Sequence, residues 1–177
     1  LLKEISAERI FSELKLILCG KDATKVLLDF SDIIGQIIPE IKPTIGFEQH
    51  NKHHVYDVYT HTAVAVGSID PDPTLRLTML LHDIGKPDVY YFEDGQGHFY
   101  GHPRVSAEIA RTVLNRLKCD NATKDTVLTL IKEHDNRFPP EKKRVKRMLG
   151  KIGEHNYSLL MKVKRADTDA QSDYLKD

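Results

Sequence analysis

Tryptophan is absent from this 177-residue chain, cysteine occurs twice and methionine three times. Cys19 and Cys119 lie far apart, have no metal-ligand spacing and make no disulfide framework. That usage suits a reducing cytoplasm. No apolar run approaches the ~20 residues of a membrane span, and no signal-peptide pattern is present. Net charge is missing too: Lys+Arg and Asp+Glu both number 26. Overall charge therefore gives no reason to expect nucleic acid, and only a local cluster could. The chain also lacks a starting Met and opens Leu1-Leu2-Lys3-Glu4, so we expect a piece cut from a longer protein. What is present, 40% hydrophobic and 29% charged residues, fits a globule of one sizeable domain or two small ones. Its oligomeric state is not legible.

Helical spacing dominates. Ser6 can cap a helix with Ile10, Phe11, Leu14, Ile17 and Leu18 inward, ended by Gly20. Asp22 can cap a second, with Val26, Leu27, Phe30, Ile33 and Ile34 on one face, closed by Gly35. Residues 1–47 thus read as a helical hairpin and linker without chemistry, and 48–177 as a second, metal-binding domain. A polar, imidazole-rich stretch from Phe47 to His54 leads into a helix running to about Ile69, with Val55, Val58, Thr62, Ala63 and Val66 as its core face. Thr74 begins a short apolar helix. Val89–Phe92 and His98–Tyr100 are β-prone runs around Asp94-Gly95-Gln96-Gly97, a small hairpin. Helices follow from His102-Pro103, from Thr123 to His134, from Glu141 to Leu149 and from about Tyr157, with Gly150 and Gly153 as breaks. The expected fold is all-α, a helical bundle with one small β-hairpin.

The chemistry gathers at Met79-Leu-Leu-His-Asp-Ile-Gly-Lys-Pro87. A buried helix end rarely carries an adjacent His and Asp into the core. An ionised carboxylate beside an imidazole in an apolar wall needs a partner, and a metal cation is the usual one. A core His hydrogen-bonded to its neighbour is the bland reading. Gly85 permits the turn after the helix, Pro87 stops it, and Lys86 is expected at the mouth of the site. Five helices or helix ends bring His61, His82, Asp83, His102, His134 and Asp167 towards the core. So many ligand types in one interior are hard to explain as satisfied core polarity. A mixed His/carboxylate set suits divalent Mn, Fe, Ni, Co or Mg, one ion or two.

Tyr59-Thr-His61-Thr, the His82-Asp83-Ile-Gly-Lys86 run and the later Asp167 resemble the HD superfamily of metal-dependent phosphohydrolases. His54-x-x-Asp57-x-Tyr-Thr-His61, Asp94-Gly-Gln-Gly-His-Phe-Tyr-Gly-His102, Ser106-Ala107 and Ile5-Ser-Ala-Glu-Arg-Ile10 are similar to the HD region of bacterial CCA-adding tRNA nucleotidyltransferases. The resemblance implies that His61, His82, Asp83 and Asp167 are the signature ligands. It implies that His102 and His134 hold a second ion bridged through Asp83. Asp83 and Lys86 would then be catalytic, with Lys86 on a substrate phosphate. It also implies hydrolysis of a phosphate ester of a nucleotide or RNA end, by water activated at the ions. The alternative is a non-catalytic helical module that positions tRNA, with a structural or vestigial metal site.

The nucleotidyl-transfer head of those enzymes needs Gly-Ser followed by Asp-x-Asp on a strand. Gly67-Ser-Ile-Asp70-Pro-Asp72 imitates it at a helix end, where proline splits the acids. Nucleotide addition is therefore not expected of this stretch. His54 and Arg104 are candidate substrate contacts, against a solvated loop and a solvated arginine. Asp57, one turn before His61, is a candidate to orient its ring, against a plain surface acid. His98 and His155 read as structural. Lys142-Lys-Arg144-x-Lys146-Arg147 would suit a nucleic-acid backbone, but Val145, Met148 and Leu149 make an ordinary amphipathic helix the blander reading.

Overall fold

Capping side chains mark where the helices begin. In the computed structural model, which describes residues 5–50, 55–136 and 141–171, α1 (Ala7–Cys19) starts at Ser6 and stops at Gly20, as its sequence indicates. The Ser6 Oγ accepts the Arg9 N–H at 3.3 Å. The second expected helix divides into α2 (Ala23–Asp29) and α3 (Ser31–Ile37). Asp22 makes no side-chain cap, and Gly35 lies inside α3 rather than closing it. The break at Phe30 (φ −122°, ψ 34°) turns Phe30 and Ile33 out to solvent, so the assumed single apolar face does not exist. A 3-10 helix over Pro39–Thr44 follows.

Helix α4 (Val58–Ser68) begins at Asp57, later than the imidazole-rich stretch implies, and leaves Val55 exposed. The Asp57 carboxylate accepts the Tyr59 and Thr60 N–H groups at 3.0 and 3.1 Å. It is a cap, whereas the His61 ring nitrogens meet Ala170, Asp167 and Asp83. Asp72 caps α5 (Pro73–Leu81), in which every residue from Leu75 to Leu81 is buried. A helix buried all round belongs in the middle of a fold, and α5 packs against α1, α4, α7 (His102–Arg116), α8 (Asn121–Glu133) and α9 (Lys142–Gln171). Its Arg76 is buried because the guanidinium donates to the Leu18 and Ile69 carbonyls at 2.8 and 3.0 Å, satisfying the frayed ends of α1 and α4.

After α5 come α6 (Lys86–Val89) and a hairpin of β1 (Tyr91–Glu93) and β2 (Gln96–His98), paired antiparallel with Tyr91 opposite His98. The hairpin closes through two residues, not four. Asp94 and Gly95 both hold positive φ (50° and 75°), the tight turn that Asp-Gly favours, so Gln96 and Gly97 join the strand. Helices α7 (His102–Arg116), α8 (Asn121–Glu133) and α9 (Lys142–Gln171) complete the chain. The two helices expected in α9 run through Gly150 and break only at Gly153, whose φ of 81° needs a glycine. Pro139 and Pro140 lie outside the described residues. The architecture is all-α with one small hairpin. Side chains of α1 to α3 share one apolar core with those of α4, α5, α7, α8 and α9. Among the described residues no helix is long and apolar enough to cross a membrane.

Candidate metal centre

The polar centre sits where α5 runs out. His82 keeps helical dihedrals as the cap after Leu81, so the buried helix delivers His82 and Asp83 to the interior, 0% and 1% exposed. Gly85 keeps an ordinary φ of −91°, so it is not needed for the turn itself. It is needed because α7 approaches closely: a Cβ there would meet the Ser106 nitrogen at 2.6 Å. The Ser106 hydroxyl accepts the Gly85 N–H at 3.0 Å and locks the His-Asp turn onto α7.

His61 comes from α4, Asp167 from α9, His102 from the start of α7, and His134 from the end of α8. The structure brings all six ligand candidates together, in two sets that share one residue. His61, His82, Asp83 and Asp167 form one; Asp83, His102 and His134 form the other, each with ligand atoms within 4.8 Å of one another. The two Asp83 oxygens divide the work. Oδ2 lies 3.5 and 3.2 Å from the Nε2 atoms of His61 and His82. Oδ1 lies 3.2 and 3.6 Å from those of His102 and His134. Asp167 Oδ1 closes the first set, 2.9 Å from His61 Nε2 and 3.5 Å from His82 Nε2.

Four backbone carbonyls aim the four rings. The Nδ1 atoms of His82, His102 and His134 face the carbonyls of Met79, Phe99 and Ile131 at 2.7, 2.9 and 2.7 Å; His61 Nδ1 faces Ala170 at 3.3 Å. A carbonyl only accepts, so each Nδ1 carries a proton and each ring turns its Nε2 inward. The consequence is sharpest for His102 and His134, whose Nε2 atoms stand 3.2 Å apart. Two lone pairs at that distance repel unless a proton or a cation lies between them. His82 Nε2 and both Asp83 oxygens are buried without a hydrogen bond. Such orphaned polar atoms are costly, and divalent cations would satisfy all of them. The donors present therefore fit metal.

Electrostatics agree. Burial would lower the basicity of the His82 imidazole, but the Asp83 and Asp167 carboxylates outweigh it and raise its pKa to about 10. Burial likewise opposes ionisation of Asp83, yet His82 and Lys86 hold its carboxyl well below the usual carboxylate range. Asp167 is held low by His61 and His82 against the same burial. Burial lowers His134, which is therefore neutral and ready to donate its lone pair. The centre calls for positive charge between its carboxylates.

Lys86 is not at the mouth of the site. It is 4% exposed, with Nζ 2.7 Å from Asp83 Oδ2. The ammonium offsets part of the Asp83 charge. Nζ does donate to Gln49 Oε1 at 2.8 Å and lies 5.2 Å from the centre of the Phe99 ring. The buried Gln49, whose own amide donates to the Tyr56 carbonyl at 3.0 Å, is a site residue the sequence concealed: one glutamine in a polar stretch carries no periodicity. Arg104 stays apart, its side chain 74% exposed and paired with Glu108 at 2.7 Å. His54 lies outside the described residues. Asp70 and Asp72 are engaged elsewhere, Asp70 with Lys162 and Asp72 as the cap of α5.

A helical bundle presenting these ligands has a family. The HD domain profile matches residues 39–170, and the chain belongs to that family. A second profile, described as a probable RNA and SrmB-binding site of polymerase A, matches residues 1–45. The chain is 31% identical over 151 residues to an A-adding tRNA nucleotidyltransferase of Deinococcus radiodurans, a match covering 80% of this chain and 35% of that protein. It is 35% identical over 149 residues to a CC-adding tRNA nucleotidyltransferase of Thermus thermophilus, covering 79% and 34%. A multifunctional CCA protein of Aromatoleum aromaticum is 30% identical over 140 residues, covering 72% and 32%. The chain thus spans about a third of the length of these relatives.

Proposed function

We propose that this chain is a metal-dependent phosphohydrolase unit using two divalent ions, within or related to a tRNA nucleotidyltransferase. Its substrate is a phosphate ester of a nucleotide or RNA end. The observation that carries the reading is the division of Asp83: one oxygen serves His61 and His82, the other His102 and His134. An apolar core gains nothing from such an arrangement, whereas a bridged pair of ions requires it. The imidazole-rich donor set favours Mn, Fe, Co or Ni over Mg. When bound, such ions acidify water and offset phosphoryl charge.

This chain's own groups supply the rest. Asp83 fixes the separation of the two sets. The carbonyls of Met79, Phe99, Ile131 and Ala170 keep protons on Nδ1 and turn Nε2 towards the site. Gln49 and Phe99 hold the Lys86 ammonium beside Asp83. With the Asp83 charge taken up by ions, that ammonium is available to a phosphoryl oxygen. Catalysis is assigned to Asp83 and Lys86, and metal binding to His61, His82, Asp83, His102, His134 and Asp167.

The test is elemental analysis of the protein, followed by incubation with Mn²⁺, Co²⁺, Ni²⁺ or Mg²⁺ and either a generic phosphodiester or a nucleoside 2′,3′-cyclic phosphate. We expect about two ions per chain and metal-dependent release of product. Metal retention without turnover on any ester, together with tRNA binding, would favour a non-catalytic tRNA-positioning module.

A further inference from the structure

Consecutive ring side chains at and just after the end of β2 serve opposite uses. Phe99 turns inward, its ring beneath Lys86 and its carbonyl on His102 Nδ1 at 2.9 Å. Its neighbours His98 and Tyr100 turn away and meet Tyr91, the cross-strand partner of His98. The Tyr91 and His98 rings are stacked, 5.0 Å apart at an interplanar angle of 20°. His98 and Tyr100 are stacked at 5.5 Å and 21°. Tyr91 is 40% exposed and Tyr100 is 74% exposed. Near-parallel rings with an open outer face are the geometry of a base-stacking platform. Tyr100 stands two residues from the metal-ligand candidate His102, at most ~7.6 Å along the backbone.

A second surface borders the same half of the centre. His134 Nε2 lies 3.2 Å from His102 Nε2, and two residues beyond it Asn136 lines a pocket of about 170 Å³ with Arg144, Arg147, Met148 and Lys151. Lys151 is tied to the buried Glu133, and Arg144 to Glu141 at 3.3 Å. Arg147 pairs with no acid among the described residues. The Lys142–Arg147 run therefore gives a cationic edge beside the His102/His134 half of the centre, complementary to a phosphate backbone.

We infer that Tyr91, His98 and Tyr100 form a base-stacking subsite for a single-stranded RNA segment, with the Arg144/Arg147 pocket taking a phosphate farther along the same strand. The subsite selects esters that carry a base over simple phosphate esters. This rests on the phosphohydrolase reading for its purpose, but binding can be measured without turnover. The probe is a short single-stranded RNA containing 2-aminopurine, whose fluorescence is quenched when its base stacks. With the wild-type chain we expect a saturable quench. In the Tyr91→Ala/Tyr100→Ala double variant, affinity should fall about tenfold or more and the quench should disappear. The Tyr91→Phe/Tyr100→Phe pair should retain both, because the rings remain. Arg144→Ala/Arg147→Ala should lower the salt dependence of binding by about one charge while the quench at saturation persists. Metal content and melting temperature monitor the fold of each variant, and these exposed rings should change neither. A wild-type chain that fails to quench, or an alanine pair that quenches fully, overturns the subsite. So does a dimer that dissolves in the alanine pair without any quench, since the rings would then face a second copy. Failure of hydrolysis alone, with the quench intact, would count against the phosphohydrolase reading and not against the platform.

Discussion

The two halves of the metal centre use the same imidazoles differently. On one side of Asp83, His61 and His82 share a second carboxylate, Asp167; on the other, His102 and His134 are grouped with no further acid among the described residues. The first half holds two negative charges, and His82 is raised to about 10 in answer to them. The second half holds only the far oxygen of Asp83, and burial lowers His134. A pocket with two carboxylates binds a dication more tightly than one with a shared carboxylate and two neutral rings. Under the two-ion proposal the first half would retain its ion more tightly and the second would hold one more loosely.

The largest effect should come from Asp83→Ala, which removes the residue common to both halves. Both ions should be lost and hydrolysis should fall to background, while far-ultraviolet circular dichroism shows the helices intact. Metal content equal to wild type would remove the basis of the shared-bridge geometry. Asp167→Ala comes next. It takes one charge from the first half only, so elemental analysis should show that the tightly held ion has become the weak one. An unchanged order of release during chelator titration would show that the two halves are not distinguished by charge.

His102→Ala and His134→Ala should each lose the second ion and keep the first, giving about one ion per chain at saturating metal. One ion in the wild type as well as in both variants would leave these histidines as substrate contacts or general acids instead. The smallest effect on metal belongs to Lys86→Ala. Metal content should hold, while kcat/KM falls about 10²–10³-fold if the ammonium meets a phosphoryl oxygen. Unaltered kinetics on every accepted ester would confine Lys86 to neutralising Asp83 in the metal-free protein.

Much of this was legible in the chain. The apolar run ending in His82-Asp83 announces a charged pair delivered into a core, because burial without a partner is too costly to be incidental. Spacing placed His61, His102, His134 and Asp167 on inward faces, and the structure gathers all of them. Other inferences failed for local reasons. Gly35 looked like a stop and Gly85 like a turn residue. One sits mid-helix, and the other exists because α7 leaves no space for a side chain. A glycine in a sequence does not say whether its backbone or its neighbours require it.

The sequence by itself determined the all-α class and most inward helix faces, because the helical period of apolar residues settles which face turns inward. It also named the six His and Asp candidates that the structure gathers. Only the tertiary structure decided how those ligands are shared. That Asp83 Oδ1 faces His102 and His134, and that Lys86 is buried on Gln49, depend on contacts between residues distant in the chain. Such contacts are set by how five helix ends meet in space, to within an ångström, and no local pattern encodes that distance.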